Sequence, residues 1–252
     1  MAKKVNIEIN EATLVAYRKR VEKMKKVTNV LFFITLGLGV FDIFYLTFFQ
    51  HVPWEEAVFR VMQYVGMMFV FAAPKLLRRF NIFVPISLSV VISVFAFGAL
   101  VLGDGLDLYG RFTWWDSLLH TFSGALLSYI ALWLIHFIMA HNDKYIYLNK
   151  YFLALFLVCF AVAMGACWEM IEFTYDHLFG TNTQQFMATT TGSIIGPDDQ
   201  PLCGHEALID SMVDLLLDLA GALLIAIYSI LRHDRLKKNY ALIQLVMKEG
   251  VK

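Results

Sequence analysis

Six runs of apolar residues, near 27–49, 57–73, 82–102, 115–140, 151–173 and 208–231, constrain this 252-residue chain more than anything else in it. A helix needs roughly 20 residues to cross a hydrocarbon core of about 30 Å, and within lipid each backbone N–H and C=O has to be satisfied inside its own segment. Runs of this length therefore leave the backbone one solution, the membrane-spanning helix. All six are long enough or nearly so; only the second is short, and Arg60 and Gln63 interrupt its start. Hydrophobic residues make up 59% of the chain and Phe occurs 22 times, against about 45–50% apolar residues in soluble domains. The expectation is an all-α, polytopic membrane protein with six transmembrane helices.

The runs are separated by Pro53, by Pro74 with Lys75, Arg78 and Arg79, by GDGLDLYG at 103–110, by HNDKYIYLNK at 141–150 and by a polar stretch from about 174 to 207. No internal repeat or low-complexity tract breaks the pattern. Residues 1–26 form a polar N-terminal segment that does not read as a cleavable secretory signal. Leu14, Tyr17, Val21 and Met24 recur there at helical spacing, as in an interfacial anchoring helix whose basic face suits anionic headgroups. The transmembrane domain then runs from 27 to 231, and a basic tail from 232 to 252. The polar stretch at 174–207 is too long for a mere connector and reads as a lid over the site described below.

Lys and Arg choose the orientation. Nineteen of the 21 fall in the N-terminal segment, the second-to-third and fourth-to-fifth connections and the C-terminal tail, leaving Arg60 and Arg111 towards the other side. The positive-inside rule then places both termini in the cytoplasm. A net charge of zero with no basic domain excludes nucleic acid as a partner. Cys159, Cys167 and Cys203 form no CxxC pair, and Cys203 in CGHE reads as an ordinary loop cysteine.

With this orientation, fifteen of the 21 acidic residues fall in outer loops or outer halves of the spans. Asp116 and His120 open the fourth span in WWDSLLHTFSG, Glu169 and Glu172 close the fifth in WEMIEF, and Asp210, Asp214 and Asp218 open the sixth in IDSMVDLLLDLAG. Residues three or four apart share a helix face, so each motif presents a polar stripe, and all three stripes lie at one depth. A charge in hydrocarbon costs several kcal/mol, which turns such residues towards the bundle interior or a wet cavity. Six carboxylates converge, with Asp42 of the first run a candidate seventh, while Arg60, His120 and Arg111 are the cations in reach. Acids outnumber bases, so an acidic pocket open to the outer side has to hold protons, bind a metal or form a hydrogen-bonded network. Carboxylates with one imidazole suit a divalent metal cation held by Asp116, His120, Glu169, Asp210 and Asp214; crowded carboxylates sharing protons are the rival. Ser123, Gly124, Ala220, Gly221 and Ala222 read as helix-packing positions, and Trp114, Trp115 and Trp168 as an outer aromatic belt.

The set WDxxLHxxSG, WExxE and DxxxDxxxDxxG resembles the YjdF-like bacterial inner-membrane proteins, a family without a known function. The resemblance implies a multi-pass protein of the inner cell membrane. A more distant similarity is to the VanZ-like proteins, associated with low-level teicoplanin resistance. Their Asp-x-x-x-His is matched by Asp116 and His120. Their Glu-x-x-Gln meets Glu169 with Glu172 in place of Gln, and their late Asp-x-x-x-Asn-x-x-Gly meets Asp214, Asp218 and Gly221, with Asp218 replacing Asn. Both departures add acid.

Three functions remain open at this level. The first is an enzyme acting on a membrane lipid or lipid-linked envelope precursor. The metal would polarise a phosphoryl or carbonyl oxygen or activate water, Glu172 or Asp218 would act as general base, and Arg60 and Arg111 would contact substrate. Arg60 fits a headgroup phosphate or a carboxylate equally. The second is a cation- or proton-coupled transporter, which would need polar residues continuing to the cytoplasmic side; LLIAIYSIL after Asp218 is almost entirely apolar. The third binds metal or lipid without catalysis.

Overall fold

Among the described residues the long apolar runs form helices. The structure is a computed structural model, and it describes residues 11–48, 54–80, 82, 84–106, 108–141, 148–188, 195 and 197–236. The helices are α1 (Glu11–Phe48), α2 (Trp54–Arg79), α3 (Ile86–Ala96), α4 (Leu108–Arg111), α5 (Trp114–His141), α6 (Lys150–Phe179) and α7 (Ile209–Leu231). A π-helical segment, Phe97–Gly105, continues α3, and a 3-10 turn, Glu206–Leu208, leads into α7. They fall into two compact units divided between Tyr109 and Gly110.

In the first unit, α1 is continuous for 38 residues, about 57 Å at 1.5 Å per residue and so nearly twice a hydrocarbon core. No break separates the charged N-terminal turns from the first apolar run. Thr35 is fully buried and returns its hydroxyl to the Leu31 carbonyl at 2.8 Å, so its polarity is satisfied within the helix. Pro74 inside α2 removes one backbone donor. Arg78 and Arg79 close that helix at its negative end. Met67, Ala96 and Val101 form the small buried core, with Leu38, Val70, Phe71, Phe97 and Leu100 around it.

In the second unit α5, α6 and α7 pack on one another. Asn149 caps α6, its side chain accepting from Tyr151 N at 2.8 Å. Ala131, Leu132, Leu153, Leu157 and Leu236 make the apolar core of the end away from the acidic motifs.

The burial pattern is inverted relative to a water-soluble protein. Phe33, Phe41, Phe69, Phe173 and Leu231 are 64–75% exposed, while Thr35, Ser93, Ser128 and Ser229 are 2% exposed or less. Helices in lipid gain nothing by hiding apolar side chains, and they associate through small and hydroxyl-bearing residues instead. Among the described residues, five stretches are long and apolar enough to cross a membrane: Val21–Tyr45, Ile86–Gly103, Trp114–Ile138, Lys150–Phe179 and Glu206–Leu231. The expected second span is helical as α2 and is not among these stretches. α6 also runs to Phe179, so the polar stretch expected from 174 begins as helix. The N-terminal residues 1–10, 142–147, 189–194, 196 and the tail beyond 236 lie outside the described residues, with the expectations that fall on them.

Candidate metal centre

The three acidic motifs meet in the second unit, where α5 and α7 begin and α6 ends. Asp116 is in the first turn of α5 and Asp210 in the first turn of α7, so two helix N-termini, with their partial positive charge, face the carboxylates.

Small residues bring the helices close enough for this. A Cβ on Gly124 would collide with the backbone of Asp218, and a Cβ on Gly221 with the backbone of Thr121 and Ala125. The backbones of α5 and α7 therefore touch, which sets Ser123 against Asp218. Ser123 Oγ donates to Asp218 Oδ1 and also lies 2.8 Å from the His120 carbonyl. Gly165 of α6 leaves room for the other Asp218 oxygen, Oδ2.

His120 occupies the middle of the cluster. Its Nε2 lies 3.5 Å from Asp214 Oδ2 and 3.7 Å from Asp116 Oδ1, and its Nδ1 lies 4.0 Å from Asp218 Oδ2. All three separations exceed a hydrogen bond, and Nδ1 is buried with no hydrogen-bond partner. One ligand atom from each of Asp116, His120 and Asp214 lies within 4.8 Å of the others. Four ligands held at about 2.1 Å around a tetrahedral ion stand about 3.4 Å apart. The imidazole–carboxylate distances are thus too long for hydrogen bonds and close to the separation of ligands sharing an ion.

Glu169 and Asp210 stand beside this trio rather than within it. Both interact electrostatically with Asp116, His120 and Asp214 or a part of that set. Glu169 is 7% exposed. Its Oε2 accepts from Gln184 Nε2 at 3.2 Å, and its Oε1 is buried with no hydrogen-bond partner. Glu172 feels the charges of Glu169, His120 and Asp116, and its Oε1 accepts from Trp168 Nε1 at 2.8 Å. Asp218 differs from the rest, being 2% exposed and on the Nδ1 side of the imidazole. Arg111 is exposed just ahead of α5. Arg60 and Asp42 belong to the other unit, and the Arg60 side chain lies outside the described residues.

Sequence reasoning did not find Gln184 and Ser211. After α6, Gly180 adopts a left-handed conformation and the chain turns back through Thr181–Phe186. Asp176 holds this turn by accepting from Thr181 Oγ1, Thr183 N, Thr183 Oγ1 and Gln184 N at 2.7–3.0 Å. Gln184 Nε2 then reaches Ser211 Oγ at 3.1 Å as well as Glu169. The one signal was Asp176 four residues before a glycine followed by Thr, Asn, Thr and Gln, a density of turn-forming side chains.

Residues 32–235 match the family described as "Predicted membrane protein (DUF2238)". This is consistent with the YjdF-like resemblance and does not extend to the VanZ-like one. No curated protein and no solved structure matches the chain.

Proposed function

The chain belongs to the DUF2238 family of predicted membrane proteins, and on that premise we propose that it is a metal-dependent membrane protein acting on or binding a lipid or lipid-linked envelope component. The metal is a divalent cation held by Asp116, His120 and Asp214, with Glu169 and Asp210 at its edge. The observation that carries the reading is the trio itself, an imidazole nitrogen 3.5 and 3.7 Å from two carboxylate oxygens. A mixed nitrogen and oxygen set favours a Zn²⁺- or Mn²⁺-like ion over Ca²⁺, which prefers oxygen alone.

Each expected residue has a role in this reading. The cation would polarise a phosphoryl or carbonyl oxygen or activate water. Glu172, which accepts from Trp168 and is outside the trio, would act as general base. Asp218 serves better as a fixed negative charge on the Nδ1 side of the imidazole than as a second base, since it is deeply buried and occupied by Ser123. Arg111 would meet a headgroup phosphate. Six spans, cytoplasmic termini, an outward-facing pocket and an inner-membrane location complete the proposal and rest on the distribution of Lys and Arg.

A one-sided site fits better than a transport path. Below Asp218 the unit closes with Ala131, Leu132, Leu153 and Leu157. The hydroxyls there are spent on the backbone, Ser128 on the Leu157 carbonyl and Ser229 on that of Ala226.

Metal analysis of the detergent-purified protein by mass spectrometry tests the proposal. Near-stoichiometric Zn or Mn, lost in Asp214→Asn and His120→Ala, is the expected result. A wild-type protein that takes up no divalent cation, even when supplied, overturns it and leaves proton-coupled transport or a structural acid network in its place.

A further inference from the structure

The turn that follows α6 is built to deliver one side chain. Asp176, itself 6% exposed, gathers four donors from Thr181, Thr183 and Gln184. Thr183 Oγ1 lies 3.4 Å from the Glu172 carbonyl, tying the turn to α6 a second time. Asn182 closes it from within, its Oδ1 accepting from Met187 N at 2.9 Å and its Nδ2 donating to the Met187 carbonyl at 3.3 Å. An isolated bridge between Met187 and Pro201 pairs its far side with the stretch leading to α7. The product of these contacts is the Gln184 amide, inserted between α6 and α7.

An amide nitrogen has two hydrogens, and three acceptors surround this one: the Glu169 carbonyl at 3.2 Å, Glu169 Oε2 at 3.2 Å and Ser211 Oγ at 3.1 Å. Gln184 therefore holds the Glu169 carboxylate by one oxygen. The other oxygen, Oε1, is buried without a partner on a residue 93% buried, whose charge acts on Asp116 and Asp214. Held this way, Glu169 has one oxygen committed to the turn and one left for the cluster.

We propose that Gln184 is a positioning residue that fixes Glu169 as the fourth ligand of the Asp116/His120/Asp214 centre, and that Asp176 is the latch holding Gln184 in place. This rests on the metal reading above. Partners one step behind the ligands typically change metal affinity by about 10–100-fold, and that is the effect expected here.

The test uses the full chain in detergent with Zn²⁺ titrated against a chelating dye, and Co²⁺ as a spectroscopic probe. Gln184→Leu fills the same space without the amide and is expected to weaken Zn²⁺ binding about 10–100-fold. Its Co²⁺ absorption spectrum should take the shape given by Glu169→Gln, because both changes withdraw the Glu169 carboxylate from the metal; a merely structural defect would not make the two spectra converge. Asp176→Asn should weaken binding to a similar extent, and adding Gln184→Leu to it should cost little more, as two changes on one path do. Wild-type affinity in a folded Gln184→Leu protein, alongside loss in Glu169→Gln, overturns the role of Gln184 while the metal centre stands. Additive losses in the double variant overturn the latch. A wild-type chain that binds neither metal overturns the centre and this inference together.

Discussion

His120 is the residue on which the site turns. Three carboxylates surround its imidazole at 3.5–4.0 Å and none hydrogen-bonds to it. The two nitrogens face different tasks, Nε2 towards Asp116 and Asp214 and Nδ1 towards Asp218. At this scale the glycines are as decisive as the acids. Gly221→Ala would drive a methyl into the backbone of α5, which no side-chain rotation relieves. Overpacking of this kind costs about 1–3 kcal/mol, so the thermal midpoint in detergent should fall clearly; an unchanged midpoint would mean that α5 and α7 are not in backbone contact. Ser123→Ala should cost about 1–3 kcal/mol in the same measurement, because Asp218 would lose its hydroxyl partner in a buried position. A midpoint equal to wild type would show that Asp218 finds another donor. Asp116, His120, Glu169, Glu172, Asp210, Asp214 and Asp218 were all legible in the sequence, since an acid in an apolar run is conspicuous. Gln184 was not: a glutamine in a polar loop is ordinary, and only the Asp176 contacts give it a fixed place.

At the scale of elements, α5, α6 and α7 owe their meeting to periodicity. A carboxylate every fourth residue marks one face of α7, and the small residues beside it permit contact. The turn after α6 follows different rules, set by Gly180 at φ 65 and the donors around Asp176. Gly180→Ala should lower stability by about 1 kcal/mol through the left-handed strain alone, with Gly180→Asn milder. Urea unfolding of the two variants beside wild type would check this, and equal stability of all three would argue against that backbone conformation. Element ends were the least legible feature. The fifth apolar run ends near 173 in the sequence, but Asp176 and Thr174 are accommodated within α6, Thr174 by donating to the Met170 carbonyl at 2.7 Å.

For the whole molecule the open quantity is the number of crossings. Among the described residues five helices are long and apolar enough to span, and α2 is not among them. The difference has a simple consequence, since five crossings put the termini on opposite sides and six put them on the same side. The Lys and Arg distribution demands the same side, so α2 is expected to cross, with Arg60 and its neighbouring glutamates near one surface. Reporter fusions at each terminus, one type active only in the cytoplasm and one only outside it, should report both ends as cytoplasmic. A C-terminus reported outside would remove α2 from the membrane and invert α5–α7, turning the acidic site towards the cytoplasm.

The sequence by itself determined that this is a helical membrane protein and that its carboxylates and His120 cluster. Both follow from solvation: apolar runs of span length admit only helices in lipid, and charged residues within them cannot face the lipid. Which of those acids stand at ligand distance was decided only by tertiary structure. Asp116, His120 and Asp214 come together because α5 and α7 touch at Gly124 and Gly221, and Glu169 is brought up to them by the turn after α6. Periodicity gives the face of a helix on which a side chain lies, but the distance between two faces depends on how closely the backbones pack. The turn that brings Gln184 to Glu169 has no period at all, and its place is set by hydrogen bonds between residues that become neighbours only when the chain is folded.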